Sequence, residues 1–75
     1  MNLEQIIQIC LSKTQIEFRY YPDQEDWYRG WIHAVNMNEY GSFVITIREE
    51  NTPDWKTPDL IFNQMQIKTR IRVRT

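Results

Sequence analysis

The sequence predicts a mainly β fold, an N-terminal helix over residues 2–13 followed by a five-stranded small barrel over 15–74, in a single domain spanning 1–75. Three observations predict it. Apolar residues recur every three to four positions as far as Leu11, and after Thr14 they alternate with polar ones. Turn-forming residues then break the alternation at short intervals.

The helix is read from Leu3, Ile6, Ile7, Cys10 and Leu11, which fall on one stripe at i, i+3, i+4, i+7 and i+8. Asn2 is placed to cap the first turn, with Gln5 reaching back in a variant capping box. Glu4 near the start and Lys13 at the end suit the helix dipole. In the first strand Ile16, Phe18 and Tyr20 alternate with Glu17, Arg19 and Tyr21. Pro22 and the acidic run 23–26 form a polar turn. A second strand, Trp27 to Val35, puts Tyr28, Gly30, Ile32 and Ala34 on one face, and Gly30 marks a bend or a close backbone approach. Residues 36–41 turn the chain, Gly41 supplying a positive φ.

Phe43 to Arg48 is the clearest strand, with Phe43, Ile45 and Ile47 on one side. The longest loop, 49–59, carries Pro53 and Pro58. Leu60 and Phe62 give a short fourth strand, Asn63-Gln64 a tight turn, and Met65 to Val73 a last strand. Five short strands in so small a chain favour closure, because closure leaves few free edges. The helix would then cover one end of the barrel.

Size and composition bound the function. Seventy-five residues with 41% hydrophobic and 13% aromatic content make one globular domain, not a disordered chain. The net charge of −1 and a pI near 5.7 do not advertise nucleic-acid binding by the whole molecule. Cys10 is alone, so no internal disulfide forms, and no apolar run approaches a membrane span. These features predict a cytoplasmic protein with a packed thiol. His33 is the single histidine, and with Cys10 it makes too few ligands for a metal. Gly30 and Gly41 stand apart, so no phosphate-cradling loop occurs. No nucleophile, base and orienting partner coincide. The expectation is a protein that is not an enzyme and has no cofactor.

Two groups of residues are candidate binding sites. Lys68, Arg70, Arg72 and Arg74 alternate with Ile67, Thr69, Ile71 and Val73, so a continuous strand would set all four cations on one face about 7 Å apart. That spacing suits a phosphate or carboxylate clamp, and equally a solvated strand face with edge-protecting charge. Trp27, Trp31 and Trp55 lie in or beside turns or on the outward parity of the second strand, which Val35, Val44 and Ile61 share on theirs. Outward tryptophans act as anchors at protein interfaces, unless a bulge reverses the parity and buries them.

The order of helix and strands resembles the SH3-like and Sm-like small barrels. Tyr28-Arg29-Gly30-Trp31-Ile32 followed by Val35-Asn36 is similar to the first Sm motif, where a glycine lets the second strand curl. That family's aspartate would fall on Asn36 and its later asparagine on Tyr40, so the RNA-binding part of the motif is not kept. Over nearly the whole chain the pattern looks like a WYL domain, a ligand-sensing module of bacterial and phage regulators. Ile16-Glu17-Phe18-Arg19-Tyr20 matches its opening strand and Leu60-Ile61-Phe62-Asn63-Gln64-Met65 its closing turn. Phe43-Val44-Ile45 stands where the naming tripeptide is expected, and Gln64 where an arginine is usual. With those residues absent, the expected function is a protein-binding adaptor, inhibitor or accessory factor, of phage or mobile-element type, acting through the exposed tryptophans. The alternative is a sensor of nucleic acid or an anionic ligand through the cationic strand. Homo-oligomerisation is a further option, and no membrane partner is expected.

Overall fold

The computed structural model describes residues 1–73. The chain runs α1 (Leu3–Ser12), β1 (Ile16–Phe18), β2 (Tyr28–Met37), β3 (Phe43–Glu49), β4 (Leu60–Asn63), α2 (Gln64–Arg70) and β5 (Ile71–Val73). The five strands form one antiparallel sheet in the order β4-β3-β2-β1-β5.

Helix α1 starts as its sequence dictates. The Gln5 N–H donates to Asn2 Oδ1 at 2.9 Å, and the Asn2 N–H to Gln5 Oε1 at 3.0 Å, a reciprocal capping box. Lys13 ends the helix in the left-handed region at φ 54°, and the N–H groups of Lys13 and Thr14 return to the carbonyls of Cys10 and Ile9. The buried face differs from the predicted stripe. Ile6 is fully buried and Leu3, Ile9 and Cys10 pack around it, whereas Ile7 and Leu11 remain 38% and 73% exposed. Six apolar residues between 3 and 11 are more than one face can bury, and docking on Ile6 brings in Ile9 at their expense.

β1 is shorter than its alternation suggests, because the chain leaves the ladder at Arg19. The Arg19 N–H donates to the Arg70 carbonyl and the Tyr20 N–H to the Gln24 side chain. β2 is bulged between Ile32 and Ala34, leaving His33 without a partner in the β3 register. The bulge reverses parity. Val35, expected outside, pairs with Ile45 and packs on the core, and Ala34, expected inside, pairs with the outward Thr46. Gly30 meets the predicted close approach: a Cβ there would collide with the Arg48 carbonyl oxygen and lie 3.2 Å from the Phe18 ring. Gly41 adopts φ 84° in the β2–β3 turn, as expected.

The predicted last strand over 65–73 is corrected to a helix and a three-residue strand. Asn63, read as part of a tight turn, is instead the cap of α2: its Oδ1 accepts from the Gln66 N–H at 2.9 Å while Gln66 Oε1 accepts from the Asn63 N–H at 2.8 Å. Ile67 and Ile71, four apart, are both buried, and Thr69, which a strand would turn inward, is exposed. The alternating cations imitate a strand; the Asn63–Gln66 capping box and the exposed Thr69 mark a helix.

Ile6, Ile16, Phe18, Ile32, Phe43, Ile45, Ile47, Phe62, Ile67 and Ile71 make the core. The Phe18 and Phe62 rings are 6.4 Å apart although β1 and β4 are separated by two strands. In a flat sheet three strand spacings would hold them roughly 14 Å apart, so the sheet is strongly curled over its core. Among the described residues no ladder joins β4 to β5.

Candidate protein-binding face

The three tryptophans are not equivalent. Trp27 is half-buried under two guanidinium groups, with the Arg19 and Arg72 Cζ atoms 4.4 and 4.0 Å from its ring centroid. Arg19 is held by bonds from Nε to the Thr69 carbonyl and from Nη1 to the Gln24 carbonyl, each 3.0 Å. Arg72 is held by Glu17 at 3.0 Å. Trp27 therefore ties the 19–27 segment to α2 and β5 and is not a free anchor. Trp31 is also half-buried, facing Arg48 across the β2–β3 ladder and lining a cavity with Cys10, Lys13 and His33. Only Trp55 is bare, at 84% exposure.

The loop that carries Trp55 is held in shape. The Thr52 N–H donates to the Glu49 carbonyl at 2.9 Å and the Lys56 N–H to the Pro53 carbonyl at 3.0 Å, a turn with Trp55 inside it. Arg48 adds a 2.9 Å bond from Nη2 to the Pro53 carbonyl and a 3.7 Å ion pair with the fully exposed Asp54. An exposed pair of that length contributes little; the hydrogen bond to Pro53 is the firmer constraint. Arg48 thus connects Trp31, opposite it in register, to the loop bearing Trp55, while Trp27 belongs to a different part of the surface.

Beneath this loop lies a cleft of about 300 Å³ lined by Tyr20, Ile47, Glu49, Thr52, Lys56, Thr57, Pro58, Asp59 and Leu60. The Tyr20 ring packs edge-on against Phe18 and Tyr28 at 5.9 and 5.3 Å. Burial of its phenol, then the negative charge of Glu49, the Tyr28 hydroxyl and Asp59, hold the Tyr20 pKa above its ordinary value of 10.0. Glu49 and Asp59 against Lys56 leave the cleft lining with one excess negative charge. The native state keeps the phenol proton more tightly than the unfolded chain does. Tyr20 consequently adds stability that is complete below the unfolded phenol's pKa of 10.0 and is lost as pH rises through the raised folded value. Phenolate absorbance should show a late-titrating component that is absent in Tyr20→Phe. The variant should lose stability less steeply above pH 10.0, and identical alkaline profiles would contradict this account.

The cationic group is dispersed. Lys68 and Arg70 lie on α2 and Arg72 on β5, so the expected one-face array is not formed, and Arg74 lies outside the described residues. Arg70 is half-buried, and among the described residues its Nε has no hydrogen-bond partner. Arg72 is engaged by Glu17 and Trp27. The helical cap at Asn63 is the signal that dissolves the array, and it is visible in the sequence.

The cleft has no residue pattern of its own, because loop 49–59 and the strand ends come together only in three dimensions. Among the described residues no group of three His, Cys, Asp or Glu side chains is placed to hold a metal, and no helix is long and apolar enough to cross a membrane. No protein-family model matches the chain, and neither a curated protein nor a solved structure does so.

Proposed function

We propose that the chain is a non-enzymatic protein-binding module that docks a partner segment on loop 49–59, Trp55 serving as the anchor and the acidic cleft receiving a neighbouring basic side chain. The observation that carries this is a bare tryptophan on a loop whose backbone is already fixed by Arg48 and two turn bonds. Preorganised aromatics lose little entropy on binding and dominate interface energies. Glu49 and Asp59 supply the charge for a Lys or Arg one or two residues from the anchored position.

On this reading the domain is a divergent SH3-like or Sm-like small barrel. The curl that brings Phe18 to Phe62, the return of β5 to β1, and the helix between β4 and β5 support that architecture. The WYL resemblance is carried by the same strand pattern. The anion-sensing alternative has less to stand on, since its cations do not share a strand face.

Panning a displayed random-peptide library tests the proposal. Wild-type protein should enrich sequences with an apolar residue beside Lys or Arg. Trp55→Ala should lose about 2 kcal/mol, roughly a 30-fold drop in affinity, while its stability changes by no more than about 0.5 kcal/mol because the side chain is exposed. Enrichment that survives Trp55→Ala unchanged would sink the proposal.

A further inference from the structure

We propose that the hollow between the end of α1 and the β2–β3 ladder is a second binding site, one that takes a small aromatic acid: a flat ring system carrying one carboxylate. Its lining excludes Trp55, and the inference does not rest on the peptide-binding reading. The hollow holds about 300 Å³ and is lined by Cys10, Lys13, Trp31, Ile32, His33 and Arg48. That volume lies at the lower end of small-molecule sites. Cys10, Trp31 and Ile32 give it apolar surface, and the indole is a wall on which a flat ring can stack. Three successive residues of β2 share the lining where the strand is bulged. A regular strand sends neighbours to opposite faces, whereas this bulge leaves His33 unpaired and free to be re-aimed.

Charge decides which aromatic compound fits. The lining contains Lys13 and Arg48, with His33 as a further nitrogen donor, and no acid. The cleft beneath the Trp55 loop has the opposite balance, Glu49 and Asp59 against Lys56. Alternation along β3 contributes to the difference, since Arg48 and Glu49 are consecutive and fall on opposite faces. Lys13 is exposed and forms no ion pair among the described residues. Arg48 is anchored through Nη2 to the Pro53 carbonyl, and Asp54, its ion-pair partner at 3.7 Å, is fully exposed and outside the lining. The negative end of α1 would oppose an anion. Its Ile9 and Cys10 carbonyls, however, already accept bonds from the Thr14 and Lys13 N–H groups. The hollow thus offers two positive charges to a carboxylate and an indole face to the ring that carries it.

NMR titration of the nitrogen-labelled full chain with naphthoate, naphthamide and naphthylmethylammonium tests this. Naphthoate, a fragment-sized probe, should bind with a dissociation constant on the order of 1 mM. It should shift the indole N–H signal of Trp31 and leave those of Trp27 and Trp55 in place. The neutral amide should bind about tenfold more weakly, and the ammonium compound should leave the Trp31 signal still. Lys13→Gln, at an exposed position, should keep the circular dichroism spectrum and weaken naphthoate about fivefold. Lys68→Gln removes the same charge from α2 and should change nothing. A Trp31 signal indifferent to naphthoate overturns the inference. So does equal affinity for acid and amide, or equal weakening by the two lysine substitutions. A chain that enriches no peptide can still pass this titration, so this inference and the Trp55 proposal fail separately.

Discussion

Gly30→Ala is expected to cost about 3 kcal/mol, at the upper end of the usual penalty for overpacking. The new Cβ would strike the carbonyl oxygen of Arg48, a backbone atom of the neighbouring strand, and would press on the Phe18 ring at 3.2 Å. Backbone held between two neighbours has little freedom to withdraw, because Gly30 is in register with Glu49 on β3 and with Ile16 on β1. Alanine's better intrinsic strand fit recovers only about 0.5–1 kcal/mol. Arg48 also fixes the Pro53 end of the loop that bears Trp55, so relief of the clash would disturb that loop. Gly41→Ala is the control. It meets nothing within 4 Å but sits at φ 84°, so its cost is conformational, about 1 kcal/mol. Urea unfolding of both variants measures the difference, and a Gly30→Ala midpoint no lower than that of Gly41→Ala would refute the steric account.

That contrast bears on how much of the molecule its sequence discloses. The capping box at Asn2, the close approach at Gly30, the positive φ at Gly41 and the inward set Phe43, Ile45 and Ile47 are local consequences of local residues, and each is visible in the chain. Two features escape a reading by period. The bulge at His33 has no residue signature of its own, yet it reverses which of Ala34 and Val35 faces the core. The helix at 64–70 is hidden by an accident of alternation, since Lys68, Arg70 and Arg72 repeat every two residues across a boundary between helix and strand. Its capping box at Asn63 and Gln66 has the same form as the one at Asn2 and Gln5, and was the clue available. The candidate site is less legible. The exposure of Trp55 follows from its place in a polar loop, but the cleft joins Tyr20 to Glu49 and Asp59 across strands, a proximity that no spacing rule encodes.

Phe18→Ala is expected to have the largest effect of all, a loss of about 4 kcal/mol. A chain of this length has a total stability of roughly 4–11 kcal/mol, so the substitution removes from about a third of it to all of it. The Phe18 side chain is fully buried and its ring meets Tyr20, Tyr28 and Phe62 at 5.9, 5.8 and 6.4 Å. These partners lie on the segment after β1, on β2 and on β4, so one side chain spans the curled sheet from its inside. Truncation would leave a cavity between the β1–β2 pair and β4, which has no ladder to either, and β4 could then swing away from β1. Tyr20 would lose its packing at the same time and with it the inner wall of the acidic cleft. Phe18→Leu separates the two consequences. It retains most of the buried volume at a cost nearer 1.5 kcal/mol, and so should fold while the cleft wall loosens. Its peptide affinity should fall although Trp55 is untouched. Should Phe18→Ala instead unfold at a urea midpoint close to wild type, the curl must be held by the backbone alone, and Tyr20 would owe its position to something other than the ring beneath it.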